Sequence, residues 1–211
     1  MNIKHEWRKK EKALYLAKAK PEVIDVPCFN FLTIQGEGNP NQPEFNQCVE
    51  ALYSLAYGIK MQLKRADPSP EGYTDYTVYP LEGVWDITPE AQSTFTGVIN
   101  KDDLVYTLMI RQPDFVSASF FDQIRELVKQ KKPLERLDHV KFESLTEGTS
   151  IQMLHQGPFD NEPVTFETME AFAATNQWHR TSKVHREIYL SDPRKVSPDK
   201  YKTVLRFQAH R

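Results

Sequence analysis

FLTIQGEGNP, residues 31–40, and IQMLHQGPFD, residues 151–160, share one pattern: a strand-like run that meets Gly and Pro just ahead of a helical segment. Two such passages in one chain read as an internal duplication, and the elements around each bear this out in order. Before the first, EVIDVPCFNFLTI (22–34) is rich in β-branched and aromatic residues and reads as a strand, with Pro27 marking a bulge or an edge. After it, Asn41 and Glu44 have capping-box spacing, and Phe45, Val49, Leu52, Ala56, Ile59 and Leu63 recur at steps of three and four, so a helix is predicted to about residue 64. DPSPEG breaks the pattern. YTDYTVYPLEGVWDI and LVYTLMIRQ then read as two strands separated by a polar loop near 88–103.

The second passage opens the same series. TSIQMLHQ is a strand, EPVTFETMEAFAATN a helix, and KVHREIYL and YKTVLRFQ two strands joined by a Pro-containing turn. The order β-α-β-β therefore occurs twice, over about 22–111 and 149–208. Between the halves, SASFFDQIRELVKQ (117–130) reads as a linker helix capped by Ser117 or Ser119, with Phe120, Ile124, Leu127 and Val128 on one side. Pro133 ends it, and the stretch that follows reads as a connector. The fold class expected is α+β: two pseudo-symmetric β-α-β-β repeats with antiparallel sheets around a central ligand pocket. Residues 1–20 carry seven Lys or Arg and read as a basic N-terminal arm packed through Trp7, Leu14 and Tyr15, ahead of a domain over 21–211.

The chain has 211 residues, 39% of them hydrophobic and 27% charged, a balance that supports a packed core. Its net charge of −2 comes from 27 basic and 29 acidic side chains scattered along the chain, which argues against direct binding of nucleic acid. Cys28 and Cys48 lack a CxxC partner or a nearby His at ligand spacing, so no metal is expected, and two isolated thiols suit a cytoplasmic protein. No run is apolar enough for a membrane span or a signal peptide. Gly36-Glu37-Gly38 is half a dinucleotide fingerprint, and GxxxxGK[ST], GxSxG and HExxH do not occur, so no cofactor is expected.

KPEVIDVPCFNFLTIQGEGNPN (20–41), ALYSLAYGIKM (51–61), YTVYPLEGVW (76–85), TLMIRQPDFV (107–116), LHQGPFDNEP (154–163) and HREIYLSDPRK (185–195) together resemble the stand-alone GyrI-like small-molecule-binding proteins. That family's fold is two β-α-β-β repeats around a pocket, and its relatives serve as effector-binding modules of BmrR-type and Rob-type transcription factors. The resemblance implies a small organic ligand, and in some stand-alone members hydrolysis of cyclopropane-bearing alkylating natural products. One departure stands out: family members often carry a second Trp after that of the LEG segment, where this chain has Asp86.

The resemblance makes Glu187 the foremost candidate, because it matches the family's pocket glutamate. Alternation in VHREIYL sets His185, Glu187 and Tyr189 on one face and Val184, Arg186 and Ile188 on the other. A carboxylate among aromatic rings neutralises a cation, or with a raised pKa acts as a general base toward water. Without the resemblance Glu187 would read as a surface residue. Glu82 holds the comparable place in the first half, or serves only as a turn residue before Gly83. Tyr76, Tyr79, Trp85 and Tyr106 form a dense aromatic group suited either to stacking on a ligand or to the core, and Trp85, Tyr79 and Tyr106 are expected to line a cavity with Glu187. Tyr53 and Tyr57 read as core, and His155 as a hydrogen-bonded structural residue.

Three functions remain open. The first is binding of small hydrophobic or cationic organic molecules, for sensing or sequestration. In the second, a hydrolase, Glu187 activates water against a strained electrophilic ring while Tyr79 or Tyr189 hydrogen-bonds the leaving oxygen. The third is a gyrase-inhibitor-like interaction module. The expected partner is a small organic ligand, with no nucleic acid and no membrane, on a monomer or weak homodimer.

Overall fold

The computed structural model describes residues 4–95 and 97–211. The elements follow the order α1 (Trp7–Lys10), α2 (Lys12–Tyr15), β1 (Glu22–Glu37), α3 (Pro43–Arg65), β2 (Leu81–Ile87), α4 (Pro89–Ser93), β3 (Leu104–Gln112), α5 (Ala118–Lys131), β4 (Lys141–Gln156), α6 (Glu162–Thr175), β5 (His179–Arg180), β6 (His185–Tyr189) and β7 (Lys202–His210). With the short β5 set aside, β1-α3-β2-β3 and β4-α6-β6-β7 give the β-α-β-β series twice, in a mixed α+β fold with antiparallel sheet. None of the described helices is long and apolar enough to cross a membrane.

Two compact units divide the chain, and β1, β2 and β4 each contribute residues to both. The first unit holds the described part of Met1–Glu6, Phe29–Leu81 and Asp86–Leu145. Here β1 and β3 pair antiparallel from Asn30 opposite Gln112 to Glu37 opposite Val105. Helix α3 buries Cys48, Ala51, Leu52, Leu55, Ala56, Ile59 and Leu63, the apolar face expected of it, although Phe45 and Val49 are only half covered. Gly58 lets α5 approach α3: a Cβ there would lie 3.1 Å from Ile124 and 3.0 Å from Val128.

The second unit holds Trp7–Cys28, Glu82–Trp85 and Thr146–Arg211. Antiparallel pairing runs β2 to β6, β6 to β7, and β7 to both β4 and β5. Its core is Ile151, Met169, Ala173, Leu205, Phe207 and Ala209, with Phe166 and Trp178 packed against them. Each large side chain so buried contributes roughly 1.5–3 kcal/mol. On the other side of β6, Arg186 pairs with Glu82 at 2.8 Å and with Glu147 at 3.2 Å, and Arg206 reaches the same Glu147 at 3.0 Å. These four charges are buried and mutually compensated, which ties β2, β6, β4 and β7 together. The basic arm from Trp7 onward belongs to this unit: the Trp7 and Tyr15 rings meet at a tilt with centroids 5.2 Å apart, Leu14 is half buried, and Arg206 and Gln152 donate to the carbonyls of Leu14 and Ala13.

Several expectations need correction. The capping box does not form: the helix starts at Pro43, where proline's fixed φ suits the first helical position, so Gln42 rather than Asn41 stands at the cap, and it makes no side-chain bond. Residues 73–80 are not strand, as β2 begins only at Leu81, after Pro80. The polar loop contains α4, capped by Thr88 accepting from Ala91 N, and a 3-10 turn at Lys101–Asp103. In α5, Ser117 caps by accepting from Phe120 N, but Phe121 takes the buried seat expected of Phe120, and Leu127 is exposed. The supposed connector after Pro133 becomes the first half of β4, which starts at Lys141.

Candidate functional site

Strand β6 places His185, Glu187 and Tyr189 on one face, as alternation requires, and antiparallel pairing with β2 sets Trp85 opposite His185 and Gly83 opposite Glu187. Gly83 contributes no side chain. Trp85 reaches along this face, and its Nε1 donates to Tyr189 Oη at 2.8 Å. Tyr189 in turn donates to Glu187, and His185 Nε2 lies 3.2 Å from Glu187 Oε1. Edge-on contact with Phe166 at 4.8 Å holds the His185 ring, and Phe159 meets Tyr189 at 6.0 Å.

Glu162, the first residue of α6, brings a second carboxyl group to this cluster and is itself buried. It hydrogen-bonds Glu187, while its Oε1 has no partner among the described residues. Burial first, then the neighbouring charge of Glu187, holds the Glu162 carboxyl well above the usual carboxylate range, so Glu162 keeps a proton and donates it to Glu187. The Tyr189 hydroxyl is also pushed up, by burial and by Glu187. Glu162, His185 and Glu187 offer ligand atoms all within 4.8 Å of one another, a set that suits a divalent cation once the Glu162 proton is gone. As it stands, the cluster is an acid and a base in contact, flanked by a phenol and an imidazole.

Of the residues singled out from the sequence, Glu187, Tyr189 and Trp85 come together here. Glu82 lies in the same unit with its carboxylate engaged by Arg186. Tyr76, Tyr79 and Tyr106 belong to the first unit. Tyr79 lies against Arg111, whose guanidinium also sits 3.4 Å over Phe29. Tyr106 packs edge-on against Phe45 at 5.2 Å, and burial pushes its hydroxyl up to about 12. Tyr76 is buried beside Phe115, with Lys60 bonded to its backbone carbonyl. Tyr53 and Tyr57 stack at 6.2 Å, and Tyr57 is half exposed rather than core. Asp86 accepts from Ile87 N and from Gln92 Nε2, so its carboxylate is spent on the start of α4. His155 is the satisfied structural residue expected, bonded at both ring nitrogens. Sequence reasoning missed Glu162 and His185. The available signals were a Glu in the first turn after a Gly-Pro passage, and a His two residues from the chosen Glu.

A cavity of about 130 Å³ lies in the first unit between Ile87, Ala91, Phe95, Val98 and Ile99, and none of the candidate residues lines it.

The model of the GyrI-like small molecule binding domain matches residues 19–209. A hydrolase from Listeria innocua is 37% identical with a TM-score of 0.87, over 98% of this chain and 100% of that one. An uncharacterized conserved protein from Listeria innocua is 38% identical with a TM-score of 0.87, over the same shares. The EcmrR C-terminal domain shares the fold alone, at 10% identity and a TM-score of 0.53, over 91% of this chain and 98% of that domain. No curated protein matches the chain.

Proposed function

The chain belongs to the GyrI-like small-molecule-binding family, and from that premise we propose that its second unit captures a small organic electrophile at Glu187 and adds water to it. The observation that carries this reading is the contact between Glu162 and Glu187. Capture of a cation needs one carboxylate. A second, protonated carboxyl beside it, with a phenol in the same hydrogen-bonded cluster, is what acid–base chemistry needs. The name of the 37%-identical Listeria innocua hydrolase, matched over its full length, supports the same direction.

The substrate class is a neutral molecule whose strained carbocycle is conjugated to a carbonyl. Glu187 takes a proton from water, the water oxygen bonds to a ring carbon, and the strained C–C bond breaks. Its electron pair moves through the conjugated system onto the carbonyl oxygen, which accepts a hydrogen bond and then a proton from Tyr189 or Glu162. One water is consumed and one alcohol formed, with no redox change. Aromatic groups at Trp85, Tyr189 and Phe159 suit a flat ligand. The test is incubation of the wild-type protein with a spirocyclopropyl cyclohexadienone in ¹⁸O-water. The expected product is one water heavier and carries a single ¹⁸O on the opened arm; unchanged starting material contradicts the reading.

A second reading, capture without turnover, is favoured by the aromatic rings around a single negative charge, which suit an organic cation. It predicts tight binding of aromatic cations and no ¹⁸O product.

A further inference from the structure

Glu162 opens a helix that has no side-chain cap: Asn161 stands at the cap position and makes no capping bond. The first turn of α6 nevertheless carries a buried carboxyl that must meet Glu187 at hydrogen-bond distance, so something outside the helix has to fix it. His155, buried near the end of β4, brackets that turn. Its Nε2 lies 3.1 Å from the Pro158 carbonyl, four residues before Glu162, and its Nδ1 lies 2.9 Å from Thr165 Oγ1, three residues after it. A carbonyl only accepts, so Nε2 donates to it, and Nδ1 bonds the Thr165 hydroxyl, which can serve as donor or acceptor. The backbone adds three ties: Gly157 N donates to the Tyr201 carbonyl, Asn161 N to the Pro158 carbonyl that His155 also bonds, and Glu162 N to the Phe159 carbonyl.

We propose that His155 is a positioning residue for Glu162, clamping the Gly157–Pro158 turn and the first turn of α6 so that the Glu162 carboxyl meets Glu187. The inference rests on the hydrolytic reading for its effect on rate, but not for its effect on the carboxyl pair. His155 touches neither Glu162 nor Glu187 in the hydrogen-bonded cluster and takes no part in proton transfer. It acts through geometry, where a misplacement of about 1 Å is enough to cost on the order of 100-fold in rate.

The test uses the full chain and three variants. His155→Phe keeps the ring and removes both bonds, Thr165→Val removes the helix-side bond with almost no change of shape, and His155→Gln keeps a donor able to reach the Pro158 carbonyl. Infrared difference spectra, with Glu162→Gln as the assignment control, report the C=O stretch of the protonated Glu162 carboxyl. The wild type is expected to show that band at neutral pH. His155→Phe and Thr165→Val are expected to shift or lose it, and His155→Gln to restore it in part. On the spirocyclopropyl dienone, kcat is expected to fall about 10- to 100-fold in His155→Phe with KM little changed, and to recover in His155→Gln. A wild type without turnover removes the hydrolytic reading and leaves the infrared comparison to decide the positioning. Absence of the band in the wild type, or an unshifted band in both His155→Phe and Thr165→Val, overturns the proposal.

Discussion

Glu162 and Glu187 meet carboxyl to carboxyl, one from the first turn of α6 and the other from the middle of β6, and Glu162 holds the proton between them. This contact has a consequence for stability. Glu162 is raised above its ordinary 4.5, so the folded chain retains a proton that the unfolded chain releases. The associated stability is full below the unfolded value and is lost as pH rises through the folded one. Urea unfolding of the wild type should therefore weaken with rising pH across that window relative to Glu162→Gln, which has no proton to lose. Parallel pH profiles for the two proteins would show that Glu162 is not held protonated.

Arg186 is the shared member of a buried network with Glu82 and Glu147. Replacing it by Met leaves the buried Glu82 carboxylate without its partner while Glu147 keeps Arg206, and removing one member of such a pair costs about 3–5 kcal/mol. The urea midpoint should drop accordingly, whereas the pair of substitutions Arg186→Met and Glu82→Leu should regain part of the loss.

Tyr106 lies so close over Gly36 that a Cβ at that position would sit 2.4 Å from the ring. Gly36→Ala should destabilise the first unit by about 1–3 kcal/mol, the scale of overpacking. In a Tyr106→Leu background the same change should cost clearly less, and a double-mutant cycle with no coupling would refute the contact.

Trp85 donates to Tyr189 beside Glu187, whereas Trp7 packs at a tilt against Tyr15 and Trp178 lies under Arg211. Ligand binding should change the emission of Trp85 far more than that of the other two. Titration with an aromatic cation should quench or shift the wild-type signal, and Trp85→Phe should lose most of the response.

The repeat was legible because Gly and Pro punctuate both halves at matching places, and the series of elements followed from hydrophobic periodicity. Alternation in a single strand likewise placed His185, Glu187 and Tyr189 on one face. What escaped were features set by tertiary contact. KFESLTEG, the first half of β4, lacks a clean apolar alternation and becomes a strand through its pairing with β1, where Ser144 bonds Asn30. Glu162 looked like an ordinary acidic residue at a helix start, where a charge is favoured. Burial, together with the arrival of Glu187 from a strand more than twenty residues away, turns it into a proton donor, and no local pattern encodes that. Glu82 and Tyr106 were conspicuous for the opposite reason, since ion pairing and close packing select the same residue types as ligand binding does.

The most direct measurement is of affinity and hydrolysis rate together on Glu187→Gln, using a neutral spirocyclopropyl dienone. If Glu187 is the general base, binding should stay within a fewfold of wild type while the rate falls by about 10²–10⁴-fold. Loss of affinity for aromatic cations, with no turnover in either protein, would leave capture as the function of the site. Affinity and rate both equal to wild type would contradict any role for Glu187 in the site.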